Sequence, residues 1–115
     1  MSQHAGLTEE RWASFGIDQQ ILMVGNEMSR TSRSLDSGRM DAARRGYERI
    51  LNLTDLTVSC ARRPSLRREL LRWRDVVARQ YVDEEPDPLT HRVAFRALLQ
   101  LTPAAAKQIP LLAGV

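Results

Sequence analysis

The chain has one cysteine, one lysine, two histidines and six aromatic residues among 115 positions. Cys60 has no second thiol to pair with, so an exported, disulfide-stapled scaffold and a multi-cysteine zinc site are both excluded, and a reducing compartment is expected. No stretch approaches the ~20 consecutive apolar residues of a membrane span. Residues 1–7 lack the basic start and apolar run of an export signal, so the sequence predicts a cytoplasmic protein without a membrane. Sustained alternation of β-branched and polar residues is missing, and with it any strand signal. There is no phosphate-cradling Gly-rich loop, no Glu-x-x-His pair of the kind di-iron bundles use, and no Ser/His/Asp or Cys/His arrangement. The length supports one domain over 1–115 and excludes a two-domain enzyme with its own cofactor domain.

What is present is helical periodicity. With 43% hydrophobic and 27% charged residues, the composition is that of a folded chain. Thr8 reads as an N-cap, with Leu7 and Trp12 spaced as a hydrophobic staple. Gly16-Ile17-Asp18 bends or restarts this helix, Asp18 being a second cap. Ile17, Ile21, Val24, Met28, Thr31 and Leu35 then recur at spacings of four and three until Gly38 ends the run. A second helix runs from Met40 or Asp41 to about Arg62, where Pro64 stops it, and its apolar arc is wider than one neighbour could cover. A third, about 65–82, keeps Leu66, Leu70, Trp73, Val77 and Tyr81 on one narrow face. Asp87-Pro88 caps a fourth reaching about Leu101, and Thr102-Pro103 opens a short piece in a tail over 102–115.

Four helices, about 8–36, 41–62, 65–82 and 88–101, joined by short links, predict an all-α fold: an antiparallel up-and-down four-helix bundle with a short extra C-terminal helix or tail. Gly25, Ser29, Ser32, Ala42, Ala43 and Gly46 are small enough to let the first two helices approach closely.

Charge is unevenly distributed along this frame. Residues 1–38 hold 3 arginines against 5 acids, residues 39–79 hold 11 against 5, and residues 80–115 hold 3 basic residues against 4 acids. The excess peaks where the second helix hands over to the third, at Arg62, Arg63, Arg67 and Arg68. Arg67 and Arg68 sit near a helix start, against its macrodipole. Arginine's planar fork fits phosphate oxygens in pairs, so these four, helped by Arg72 and Arg79, are the candidate anion or nucleic-acid site. The opposing reading is a solvated surface neutralised by Glu9 and Glu10 at the same end of the bundle, with Glu48, Asp55, Glu69 and Asp75 along the helices. Trp12, Tyr47, Trp73, Tyr81 and Phe95 all read as core or boundary, leaving few platforms for base stacking.

Catalytic and metal-binding candidates are sparse. His4 lies in a terminus expected to fray, and His91 sits near Phe95 and Leu98 as a hydrogen-bonded core histidine. Asp87 and His91 share a helical turn but lack a third ligand, so no metal and no cofactor is expected. Arg49 falls on an apolar flank and is expected to pair with Glu27 or enter a subunit interface.

The first helix carries Asn26-Glu27-Met28-Ser29-Arg30. The second reads Ala42-Ala43-Arg44-Arg45-Gly46-Tyr47-Glu48-Arg49-Ile50-Leu51, and the third Glu69-Leu70-Leu71-Arg72-Trp73-Arg74. Over about residues 10–100 this pattern resembles the HEPN-type helical bundles of prokaryotes, which partner minimal nucleotidyltransferases or cleave RNA. The resemblance implies a helical fold and dimerisation. Active ribonucleases of that type carry Arg, four to six residues, then His; ahead of His91 those positions are Glu84, Glu85 and Pro86, so no catalytic role transfers. The expectation is therefore a non-enzymatic bundle acting by association, as a homodimer or with a protein partner. The alternative is an RNA- or anion-binding or nucleotidyltransferase-partner module that uses the arginine-rich corner.

Overall fold

A computed structural model describes residues 8–112. Thr8 starts the first helix as expected, its Oγ1 accepting from the Arg11 N–H at 3.1 Å; Leu7 and His4 lie outside the described residues. The helices are α1 (Glu9–Ala13), α2 (Ile17–Asp36), α3 (Met40–Cys60), α4 (Pro64–Val82), α5 (Pro88–Leu99) and α6 (Pro103–Ala106), followed by a 3-10 turn at Ile109–Leu111. No strand occurs among the described residues, so the fold is all-α. Among the described residues six helices stand where the sequence predicts four and a tail, because 8–36 divides in two and the tail supplies α6.

The division has a local cause. The Gly16 backbone is extended, and Gly16 rather than Asp18 occupies the cap position of α2, with no side-chain cap bond. Gln20 folds back over the end of α1: its Nε2 donates to Trp12 O, which also accepts from Phe15 N–H, and to Phe15 O, each at 3.0 Å. The break turns α1 onto α3, where Trp12 is fully buried and its indole N–H donates to Thr57 Oγ1 at 3.0 Å.

Other boundaries follow the punctuation. Gly38 has φ +71°, the left-handed conformation that favours glycine after a helix. Pro64 is the first residue of α4 rather than only a stop for α3, since its missing N–H costs nothing at a helix start. Asp87 caps α5 by accepting from the Leu89 and Thr90 N–H groups, and Thr102 Oγ1 accepts from Ala105 N–H.

α2 packs on α3 and α5, α3 on α4, and α4 on α5. Across α2 and α3, Glu27 meets Arg49 and Thr31 meets Gly46. A Cβ at Gly46 would overlap Thr31 Oγ1, so glycine is what permits this close approach. Between α3 and α4, Arg74 Nε donates to Asp55 Oδ1 at 2.6 Å and the Tyr81 hydroxyl to Glu48 Oε1 at 3.2 Å. Between α4 and α5, the Trp73 indole donates to Ala94 O at 2.7 Å.

The main core includes Trp12, Ile21, Met28, Tyr47, Ile50 and Phe95, all fully buried. The wide apolar arc of α3 is largely accounted for within one chain, because α1, α2 and α4 all pack against it. Ile109 and Leu112 also fold back against the core, half-buried. Apolar exposure concentrates instead on α5, where Leu89 and Val93 are each 63% exposed, and on Val82 and Leu111. Among the described residues no helix is long and apolar enough to cross a membrane.

Candidate functional site

The arginine corner is built by two helix ends meeting over a small apolar cluster. Ala61, Leu66 and Leu70 are buried there, with Ile17, Val58 and Leu101 packed against them. Leu66 and Leu70 are one turn apart on α4, so burying that face fixes which side of the corner is left to the arginines. Arg62, Arg63, Arg67 and Arg68 are all exposed.

Their local surroundings differ. Arg62 and Arg63 follow the open carbonyls at the end of α3, a favourable place for positive charge. Arg67 Nη2 donates to Ala61 O at 2.9 Å and so ties α4 to the end of α3. The first backbone bond into α4 runs from Arg67 N–H to Arg63 O. Pro64 has no N–H, and those of Ser65 and Leu66 find no acceptor within the helix. A helix start with open N–H groups and four cations around it attracts anions.

The ion pairs among the described residues join Glu27 to Arg30 and Arg49, Glu69 to Arg72, and Asp55 to Arg74. None includes a corner arginine. Glu9 and Glu10 do reach the same end of the molecule, as the opposing reading requires, but they face Arg62 and Arg63 across a cleft of about 610 Å³ without pairing. A second groove, of about 520 Å³, is lined by Arg62, Arg67 and Arg68 beside Pro64. The remaining two candidates stand apart from this group. Arg72 is held by Glu69 at 3.0 Å, and Arg79 lies eleven residues beyond Arg68, about 16 Å along the helix. Cys60 borders both clefts, but burial and the Glu9 carboxylate push its thiol up, away from the nucleophilic thiolate.

No family model, curated protein or solved structure matches the chain.

Away from the corner, a buried polar chain links four helices. His91, 2% exposed, places Nε2 2.9 Å from Met28 O and Nδ1 2.9 Å from the Tyr47 hydroxyl. A carbonyl only accepts, so Nε2 carries the ring proton and Nδ1 accepts from Tyr47. Gln80 Nε2 donates to the Tyr47 oxygen at 3.3 Å and to Asp87 O at 2.8 Å, while Gln80 Oε1 accepts from Asp87 N–H. Burial holds His91 below its ordinary value of 6.5 and drives Tyr47 up to about 12. With both ring nitrogens engaged in a neutral imidazole, His91 has no free site for a substrate proton. The sequence points to His91 as a core histidine; its dependence on Tyr47 and Gln80 carries no sequence signal, because those residues lie on other helices.

Among the described residues no three of His, Cys, Asp and Glu come together in a group that could hold a metal ion. Gln20, 3% exposed, is a residue that sequence reasoning passes over. It ends the polar run Asp18-Gln19-Gln20, so no sequence signal sets it apart from its exposed neighbour Gln19.

Proposed function

We propose that this chain is a non-enzymatic helical module that binds the phosphate backbone of RNA at the α3–α4 corner. We read its frame as an antiparallel bundle of α2 to α5, with α1 and α6 as additions. The observation that carries the reading is the absence of any ion pair, among the described residues, for Arg62, Arg63, Arg67 and Arg68. Four neighbouring cations held together without counter-charges repel one another, and a phosphate chain relieves that repulsion while releasing its own counterions. The test is RNA affinity measured across a salt series. For a single-stranded oligomer, log affinity against log salt should have a slope of about −0.7 per phosphate contacted, and Gln at all four positions should flatten it. An unchanged slope in that quadruple variant rejects the corner as the site.

A second reading, self-association, is favoured by Leu89 and Val93, which lie one turn apart on α5 and are each 63% exposed. Soluble monomers seldom keep large contiguous apolar patches. Sedimentation of the native chain beside a Leu89→Glu/Val93→Glu variant tests it: a dimer that the variant dissociates supports α5 as the contact, and a native monomer removes this reading.

A further inference from the structure

We propose that the cleft between α1 and the arginine corner receives one unpaired base of single-stranded RNA, and that it favours guanine. The inference rests on the corner as a backbone site and adds base recognition to it. The cleft measures about 610 Å³, within the roughly 300–1,000 Å³ of small-ligand sites. Ala13, Phe15, Ile17 and Leu66 give it an apolar lining. Phe15 is half-buried, and its ring meets the fully buried Trp12 edge-on at 6.0 Å, which braces it in place. It is the aromatic residue beside Arg62 and Arg63, and an aromatic next to free cations is the arrangement that holds single strands by stacking.

The two walls differ in what they offer. Arg62 and Arg63 supply donors and positive charge. On the α1 side, Glu9 and Glu10 supply carboxylates, whose oxygens accept hydrogen bonds. Gln20 lies in the same lining with its Nε2 spent on Trp12 O and Phe15 O and its Oε1 sealed from solvent, so the acceptors this wall presents to the cleft are the two carboxylates. A bare phosphate, or the regular backbone of a duplex, gains from the arginines but is repelled by Glu9 and Glu10. A nucleotide suits both walls, with its phosphate on the arginines and its base donors on the acceptors.

An acceptor-only wall also discriminates among bases. Guanine presents two adjacent donors on its Watson–Crick edge, N1–H and the N2 amino group, which a carboxylate accepts in parallel. Adenine, cytosine and uracil each set an acceptor next to their donor, and that acceptor meets repulsion here.

The test uses the whole chain and short uridine oligomers carrying one guanosine, inosine or adenosine, with affinity read by fluorescence anisotropy. The guanosine oligomer should bind roughly tenfold more tightly than the adenosine one, the lower range for a matched pair of base hydrogen bonds. Inosine lacks the N2 amino group and should lose most of that preference. Glu9→Gln with Glu10→Gln should act in two directions at once, tightening the adenosine oligomer while erasing the guanine preference. These two residues are exposed, so that variant keeps its packing; Phe15→Leu, which preserves apolar volume, should weaken all single strands toward duplex affinity.

Equal affinity for the three oligomers, with a steep salt slope that the corner arginines control, overturns the base pocket and leaves the backbone site standing. A guanine preference that survives both the glutamate and the Phe15 substitutions also overturns it. A preference that vanishes with Glu9 and Glu10, in oligomers whose overall affinity and salt slope ignore the four arginines, supports the pocket and rejects the corner.

Discussion

The Tyr47 hydroxyl donates to His91 Nδ1 over 2.9 Å, and this bond joins α3 to α5 through the centre of the protein. It requires a neutral imidazole, since a protonated ring has no lone pair at Nδ1 to accept it. Burial lowers the folded-state value of His91 below 6.5. The unfolded chain therefore takes up a proton at a pH where the folded chain still resists. Stability from this group is complete above about pH 6.5 and is lost as pH falls from there toward the folded value, at up to about 1.4 kcal/mol per pH unit. Urea unfolding at about pH 7.5, 6 and 5 measures the trend. In His91→Gln, the part of the slope due to this residue should disappear.

Tyr47→Phe removes one hydroxyl and leaves the His91 Nδ1 acceptor buried without a donor, while Gln80 keeps its bond to Asp87 O. The expected cost is about 1–3 kcal/mol. For a chain near this size that is a fall in Tm of roughly 4–8 °C per kcal/mol, readable by calorimetry. A variant as stable as the native chain would show that the polar chain through Tyr47 contributes nothing.

Gly46→Ala places a methyl group against Thr31 Oγ1 between α3 and α2. Alanine is the better helix former by about 1 kcal/mol, yet the overlap dominates, and a net loss of roughly 1–3 kcal/mol is expected. Thr31→Ala alone deletes a buried hydroxyl that has no hydrogen-bond partner, so it should cost less than Gly46→Ala. The double variant should recover part of the loss, giving a favourable coupling in a double-mutant cycle.

Glu27 and Arg49 meet at 2.6 Å with side chains 11% and 19% exposed, and Arg30 reaches Glu27 at 3.7 Å. Glu27→Met strands the Arg49 charge in a poorly solvated place and should cost on the order of 2 kcal/mol. Glu27→Met with Arg49→Met removes both charges and should be closer to native stability than either single change. A double variant worse than both would mean that the pair itself carries the stability.

Arg67 holds the end of α3 through Ala61 O, whereas Arg68 makes no such bond. Arg67→Gln should therefore lower stability by about 1 kcal/mol, and Arg68→Gln should leave it unchanged within about 0.5 kcal/mol. Both should weaken RNA binding alike. Equal stability of the two variants would remove the structural role given to Arg67.

Much of the helical frame was legible because its signals are local. Thr8, Gly38, Asp87 and Thr102 act through backbone groups a few residues away, so a short window contains the whole cause. The burial of Ile21, Val24, Met28 and Leu35 also follows from their spacing alone. The division of 8–36 was only half legible. Gly16 permits a break, but what fixes the geometry is Gln20 folding back on two carbonyls and Trp12 docking on Thr57, a residue 45 positions away. The same distinction explains Phe15, which has no notable periodicity and gains meaning only beside Arg62 and Arg63.

The sequence by itself determined an all-α fold, most of the helix boundaries, and a concentration of arginine between α3 and α4, because composition, capping and periodicity act over short range. The tertiary structure decided how those features meet. It divided the six candidate arginines into a corner group, a paired Arg72 and a distant Arg79. It set Glu9 and Glu10 across an open cleft from Arg62 and Arg63 rather than in contact with them. Ion pairing depends on separations of a few ångströms between groups far apart in sequence, and only packing sets those separations.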